Sequence, residues 1–438
     1  MSADTPLGTY PALYLVLECE RPMAGSARIA LREVKRVVIG RGECRAITPD
    51  GAGGLRVSVP DPWMSIDHAE LACSLGEWTV RDAGSRNGVI ADGVRVVHAA
   101  LCDGAVLEIG HTCFVFVARE PEDAAAAPAL AGVRTHHPAL SAALTALVKL
   151  APSRIGVMLS GPTGSGKEVV ARAIHAASGR RGPFVALNCA ALPGGLIEAE
   201  LFGHHKGAFT GASEHAPGVI RASDGGTLFL DEIAELSPAA QASLLRVLET
   251  SEVRPIGAAH PVPVDLRVVT ATHEHLPGRV ADGRFRADLL ARLAGYTVEL
   301  PPLRERRIDL GDICAALLAR LAPPGRPAAT FTRRALRALL VHDWPHNVRE
   351  LAKALETALV LSDGVIDVVH LPPEIGAALD GPAPGVLGPQ ETEQRDELVA
   401  LLRKHRGNVT AVARALGKAT MQIRRWIEKY GLDLADYR

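Results

Sequence analysis

Short alternating or β-branched apolar runs fill the first quarter of the chain, among them Leu13-Tyr-Leu-Val-Leu17, Arg36-Val-Val-Ile39 and Cys113-Phe-Val-Phe-Val117. Gly, Pro and Asp separate them, so residues 10–118 are expected to form an all-β unit. The stretch Glu120-Pro-Glu-Asp-Ala-Ala-Ala-Ala-Pro128 has nothing large to bury and reads as a linker spanning 119–133. From 134 to 375, helical periodicity alternates with short apolar strands, which predicts a parallel α/β domain with a helical end. Breakers from Asp380 through Pro389 mark a second linker over 376–390, ahead of a last helical segment, 391–438. Three modules follow: all-β, α/β and all-α.

At 438 residues the chain is about three times a typical ~150-residue domain, consistent with that division. A 47% hydrophobic and 22% charged composition excludes a mostly disordered or collagen-like chain. With 48 basic and 49 acidic residues, the net charge of -1 means that any nucleic-acid role must come from local charge. No apolar run of ~18 residues and no signal-peptide pattern is present, so the expectation is a cytoplasmic protein with no membrane partner. The seven cysteines lack a CxxC pair and mostly sit in apolar runs, which favours buried free thiols. His136-His137 and His204-His205 lack a partner at zinc spacing and point away from metal binding.

The strongest chemical signal is Gly161-Pro162-Thr163-Gly164-Ser165-Gly166-Lys167, between the strand-like Gly156–Ser160 and a helical run from Glu168. Glycines let backbone N–H groups close around phosphate, the helix N-terminus adds positive potential, and the lysine neutralises β/γ charge. Glu168 replaces the usual hydroxyl residue, so magnesium must lean on other groups. Further on, the apolar strand Gly225-Gly-Thr-Leu-Phe-Leu230 ends in Asp231 and Glu232. Carboxylates at a strand's C-terminal edge face the ligand crevice of α/β sheets. Asp231 is expected to hold Mg²⁺ and Glu232 to orient or deprotonate the attacking water.

Here the chain resembles the AAA+ domain of sigma-54-dependent transcriptional activators. The resemblance rests on Glu200-Leu-Phe-Gly-His204 followed by Gly207-Ala208-Phe209-Thr210-Gly211-Ala212, matching the loop by which that family grips sigma-54. It implies that Asn188 switches the catalytic glutamate, that Arg286 and Arg292 reach the neighbouring subunit's γ-phosphate, and that Arg349 is the lid arginine that senses nucleotide. A homo-oligomeric ring, a hexamer by resemblance, follows. Pro162-Thr163 stand where the family usually has Glu-Ser, His273 where Asn is common, and His346 where Gly is usual.

Between Leu401 and Tyr430 there are eight basic residues and one acid, Glu428, a local balance of +7 in a neutral chain. Asn408 and Gly417 bound one short helix and Thr420 begins another, the spacing of a helix-turn-helix. Thr420, Gln422, Arg424 and Arg425 are expected near the DNA groove, and Val412, Ala415, Leu416, Ile423 and Ile427 inside. The segment is similar to the family's Fis-type DNA-binding end.

Residues 36–95 resemble a forkhead-associated (FHA) β-sandwich, which reads phosphothreonine, through Ile39-Gly40-Arg41, Ser65-Ile-Asp-His68 and Asp82-Ala-Gly-Ser85-Arg86-Asn87-Gly88. The resemblance implies that Arg41, Ser65, Ser85, Arg86 and Asn87 bind the phosphopeptide, and that a Ser/Thr kinase lies upstream. Arg86 stands where Thr is frequent, and a sandwich that has lost phosphopeptide binding remains an alternative. Together these features point to an ATPase, with ATP and Mg²⁺ as cofactors, that remodels sigma-54 RNA polymerase holoenzyme from upstream promoter DNA under phosphothreonine control. The rivals are a repressor using ATP only for oligomerisation and an AAA+ remodeller of another target; intact Asp231, Glu232, Arg286 and Arg292 speak against the first.

Overall fold

The structure is a computed structural model that describes residues 8–51, 53–121, 130, 132–191, 194–207, 214–322, 328–377, 379, 389–405 and 407–429. The N-terminal strands are β1 (Thr9–Glu18), β2 (Ala27–Ala30), β3 (Arg36–Arg41), β4 (Ala46–Asp50), β5 (Gly54–Val59), β6 (Ala69–Ser74), β7 (Glu77–Asp82), β8 (Val89–Ala91), β9 (Val94–Val96), β10 (His98–Ala100), β11 (Val106–Ile109) and β12 (Thr112–Pro121). They form two six-stranded sheets, ordered β2-β1-β12-β11-β8-β9 and β10-β7-β6-β3-β5-β4. Alternate side chains such as Leu13, Leu15, Val37, Ile39, Leu107 and Phe114 fill the space between the sheets. That period of two leaves β1 a second face carrying Tyr14 and Val16, and both are fully buried. Strand β12 continues to Pro121, beyond the 118 boundary read from sequence.

The central domain is a parallel sheet of β13 (Val157–Ser160), β14 (Phe184–Asn188), β15 (Thr227–Asp231), β16 (Arg267–Thr272) and β17 (Tyr296–Glu299), in the order β14-β15-β16-β13-β17. Strand β15 has four consecutive buried residues and β16 six, the near-continuous burial that a parallel sheet covered on both faces demands. Flanking helices include α1 (Pro138–Leu150), α2 (Lys167–Ala177), α3 (Pro238–Thr250) and α4 (Ala287–Leu293). Pro238 opens α3, and Ser237 caps it by accepting the Ala240 N–H at 3.1 Å. Fully buried Arg267 donates to the carbonyls at the C-terminus of α1, including that of Leu150 at 3.3 Å, so the last turn's free acceptors are met from the sheet.

A helical lid follows, with α5 (Leu310–Leu321), α6 (Arg333–Val341) and α7 (Asn347–Leu361). Its core also contains the outer face of the sandwich: Tyr14, Val16, Cys19 and Val115 pack in one cluster with Leu310, Cys314, Leu339 and Trp344. Each fully buried leucine there contributes about 1.5–3 kcal/mol relative to exposure. Polar contacts fix the register. Phe331 N–H donates to Cys19 O at 2.9 Å, and Arg337 pairs with buried Glu108 of β11. The two modules share a core, although sequence places a linker and a whole α/β domain between them.

Helices α8 (Pro389–Lys404), α9 (Val409–Ala415) and α10 (Thr420–Lys429) enclose a small core of Leu398, Leu402, Val412, Ala413, Ile423 and Ile427. Asn408 caps α9 through the Ala411 N–H, and Gly417 takes a left-handed φ of 62° after it. Ala415, expected inside, is exposed; the helical period puts Ala413, next to Val412, on the buried side instead. The cysteine expectation also needs correction. Cys19, Cys113, Cys189 and Cys314 are buried, but Cys44 is exposed and Cys73 and Cys102 are partly so, because Cys44 and Cys102 fall on loops and Cys73 lies near the end of β6, at the edge of the sandwich core. Among the described residues no helix is long and apolar enough to cross a membrane.

Candidate active site

The phosphate loop joins β13 to α2 at the C-terminal edge of the sheet. Gly164 has a φ of 78°, and a Cβ there would lie 2.3 Å from His346 O, so neither its conformation nor its space admits a side chain. The lid grips this loop directly. Val348 N–H donates to Gly164 O at 3.0 Å, Asn347 Nδ2 to Thr163 O at 3.0 Å, and Arg306 Nη2 to Ser165 O at 2.6 Å. Asn347 also accepts the Leu303 N–H, from a left-handed backbone of φ 56° that asparagine tolerates. Sequence reading passed over Asn347 and Arg306. Asn347 stood two residues from the lid arginine, but the reach of Arg306, 141 positions along the chain from Ser165, had no local signal.

Lys167 is only 7% exposed and folds back to donate to Gly161 O at 2.8 Å and Pro162 O at 3.3 Å. Burial pulls its ammonium below the ordinary lysine range; the nearby Glu232 and Asp231 carboxylates oppose that, and the Arg349 charge adds to it. Asp231 ends β15, directly opposite Asn188 on β14. Burial, then the neighbouring Glu232, raises the Asp231 carboxyl above its usual range.

Glu232 sits at a left-handed φ of 53°. Its Oε2 lies 2.7 Å from Nδ1 of His273, just beyond β16. Asn188, expected to switch this glutamate, uses its Oδ1 to accept the Ala190 N–H at 2.8 Å, and the partner of Glu232 is His273. The substitution noted in the sequence as a departure is therefore a direct contact of Glu232.

The loop fits a nucleotide. Among the described residues Ser165 Oγ is buried without a partner and Lys167 has no carboxylate bonded to it, and Gly161, Gly164 and Gly166 all take positive φ. Bound Mg²⁺ would screen β/γ charge, with Asp231 as the carboxylate placed to hold it. Glu168 is not so placed: its carboxylate is bonded to Arg172 at 2.6 Å on the exposed side of α2. Among the described residues no cluster of three or more His, Cys, Asp or Glu offers a metal cage.

Arg286 and Arg292 lie at α4, with Asp288 and the Leu248 carbonyl as their partners. Arg286 is exposed, and its bond to Asp288 holds it above the ordinary arginine range. Neither bonds to the phosphate loop of its own chain. Gly207 is an exposed turn residue with φ 84°, while Ala208, Phe209, Thr210, Gly211 and Ala212 lie outside the described residues.

At the sandwich end, the three expected loops are tied to one another. Arg41 N–H donates to Ser65 O at 2.9 Å, Arg86 N–H to Ser65 Oγ at 3.2 Å, and Asn87 Nδ2 to Trp63 O at 2.7 Å. Ser85 Oγ accepts the Gly88 N–H at 2.9 Å, and buried His68 bridges Ser65 N–H to Gly88 O. The Arg41 and Arg86 side chains remain exposed at this convergence.

Comparison with known proteins agrees with this geometry. Residues 133–299 match the Sigma-54 interaction domain, 304–384 the AAA+ ATPase lid domain, and 37–110 the FHA domain. NtrX from Brucella abortus, solved in complex with ATP, is 31% identical, with 68% of this chain and 69% of that one covered at a TM-score of 0.50. The chain belongs to the sigma-54 activator family. The hydrogenase transcriptional regulatory protein HoxA of Cupriavidus necator is 42% identical over 69% of this chain and 66% of its own length. The acetoin catabolism regulatory protein of the same organism is 45% identical over 71% and 48%. The chain thus spans about half to two thirds of the length of these curated relatives. In this sigma-54 activator the FHA match lies ahead of the Sigma-54 interaction domain.

Proposed function

We propose that this sigma-54 activator hydrolyses ATP at subunit boundaries of a cytoplasmic homo-oligomeric ring, a hexamer by family, and uses the energy to remodel sigma-54 RNA polymerase holoenzyme at promoters. The observation that carries the reading is the convergence of Lys167, Asp231 and a glutamate positioned by His273 beside a phosphate loop that the lid holds. Glu232 orients water for attack on the γ-phosphate, Asp231 serves the metal, and Lys167 and Arg349 neutralise phosphate charge. Arg286 and Arg292, unengaged with their own loop, complete the neighbouring site, the arrangement that gives arginine fingers about 10³–10⁵ in rate. The Gly207–Ala212 loop presents Phe209 and Thr210 to sigma-54.

The FHA loops supply phosphothreonine control, with Arg41 and Ser65 on the phosphate, Ser85 and Arg86 beside it and Asn87 on the peptide backbone, downstream of a Ser/Thr kinase. At the other end, Thr420, Gln422, Arg424 and Arg425 on α10 bind upstream promoter DNA as the second helix of a helix-turn-helix. The exposure of Gln422, Arg424 and Arg425 supports this, and so does the core formed by Val412 and Ile423. DNA affinity then falls steeply with added salt.

Phosphate release and transcription from a sigma-54 promoter, measured on the same preparations, test the reading. Lys167→Ala and Glu232→Gln abolish both, whereas Thr210→Ala abolishes transcription and leaves phosphate release in place. Transcription undiminished by Thr210→Ala would remove sigma-54 as the partner.

A further inference from the structure

Beside the phosphate loop lies a cavity of about 440 Å³, in the range of small-molecule sites. Its floor belongs to the ATPase domain: Ser165 and Gly166 of the phosphate loop, and Val169 and Val170 of α2. The lid contributes Ile313 and Val348. The third wall comes from the N-terminal sandwich, as Met23, Ala24 and Gly25 of the turn between β1 and β2. A mostly apolar cleft continuous with a phosphate loop has the chemistry to take a purine base.

The turn is built into that position. A Cβ at Gly311 of α5 would lie 1.9 Å from Val16 O, so lid helix and sandwich meet backbone to backbone. At Gly25, where φ is 67°, a Cβ would come within 2.5 Å of Asp312 Oδ1. Arg45 then holds the turn from the other side. Its guanidinium donates to Gly25 O at 3.1 Å and Ala24 O at 3.4 Å, while Glu18, 4% exposed, accepts its Nε at 2.8 Å. Arg45 lies on the β3–β4 loop, four residues past Arg41.

We propose that the FHA sandwich is a working part of the nucleotide site: the Met23–Gly25 turn closes the base pocket, and Arg45 is the positioning residue that keeps it closed. This rests on the ATPase reading above and adds its means of regulation. The loop expected to read phosphate and the wall of the base pocket share one arginine. Anything that moves that loop therefore changes nucleotide affinity, and bound nucleotide reciprocally biases the loop. Met23, 44% exposed at the mouth, offers a flexible thioether to an aromatic ring.

Titration of the full-length chain with ATP, and separately with tripolyphosphate, which lacks base and ribose, tests the proposal. Met23→Ala weakens ATP binding three- to tenfold and leaves tripolyphosphate binding unchanged. Arg45→Gln raises KM for ATP by a similar factor with kcat unchanged, because the turn lies at the base and not at the γ-phosphate. Met23→Ala alters a partly exposed side chain, so it remains informative even if Arg45→Gln unfolds the sandwich. ATP binding within twofold of the parent for Met23→Ala overturns the proposal while leaving the ATPase reading intact. Failure of the unmodified chain to bind either ligand overturns both.

Discussion

His273→Ala isolates the contact that the chain substitutes at Glu232, the proposed water-orienting carboxylate. The bond to be lost is 2.7 Å long and joins imidazole Nδ1 to Glu232 Oε2. Glu232 holds a left-handed backbone conformation that a non-glycine residue keeps only when its surroundings compensate. Hydrogen bonds to charged groups are worth about 1.5–3 kcal/mol. His273 is 48% exposed, so water competes and the value is discounted to about 1–2 kcal/mol. If the whole of this appears as misplacement of the carboxylate, kcat falls about 5- to 30-fold at ~1.4 kcal/mol per decade.

KM for ATP should stay within about twofold, because His273 makes no bond to the phosphate loop among the described residues. His273→Asn, which keeps a side-chain donor, should recover kcat to within about threefold of the parent. Steady-state phosphate release at saturating and limiting ATP separates the two constants, with Glu232→Gln as the reference for losing the base, a step worth about 10²–10⁴. An unchanged kcat in His273→Ala would refute the positioning role. So would a loss as deep as that of Glu232→Gln, since His273 would then be taking part in the chemistry.

Other substitutions probe the frame around the site. Asn347→Ala removes the bridge from the Leu303 amide to Thr163 O; a cost of about 1–3 kcal/mol in lid closure should appear as a raised KM for ATP in the same assay. Arg337→Ala leaves Glu108, 2% exposed, with Arg333 at 3.9 Å as its ion-pair partner among the described residues, and should destabilise the shared core of sandwich and lid by about 2–4 kcal/mol in denaturant unfolding; adding Glu108→Gln should recover much of it. In the β8–β9 turn, burial pushes the Asp92 carboxyl up to about 6 from 3.8, so the folded state binds the proton more tightly than the unfolded chain does. The stability this gives is full below about pH 4 and lost as pH rises through 6. Asp92→Asn, which keeps an oxygen to accept the Val106 N–H, should therefore raise stability at pH 7 by about 1–3 kcal/mol and leave it unchanged near pH 4.

Local chemistry made much of the molecule legible in the sequence. A phosphate loop must follow a strand and open a helix, and acids at a strand end must face the crevice, so Lys167, Asp231 and Glu232 could be placed from short windows; a period of two marked the sandwich strands, while the loops at Arg41, Ser65 and Asn87 were singled out by their resemblance to FHA domains. The same windows misplaced Ala415 because a short helix between breakers leaves its phase open, and only the contacts with α8 and α10 settle it. Contacts between distant segments left no trace in any window. The clamp of Arg306 on Ser165 and the union of Glu108 with Arg337, 229 positions apart, depend on how three layers dock. So does the place of Met23 at the nucleotide pocket. Sequence by itself marked which residues are candidates for the chemistry, because those preferences act over a few bonds; tertiary structure alone decided which surfaces meet, because β1 has two buried faces and the second is covered by distant segments, the lid helices and His136 among them.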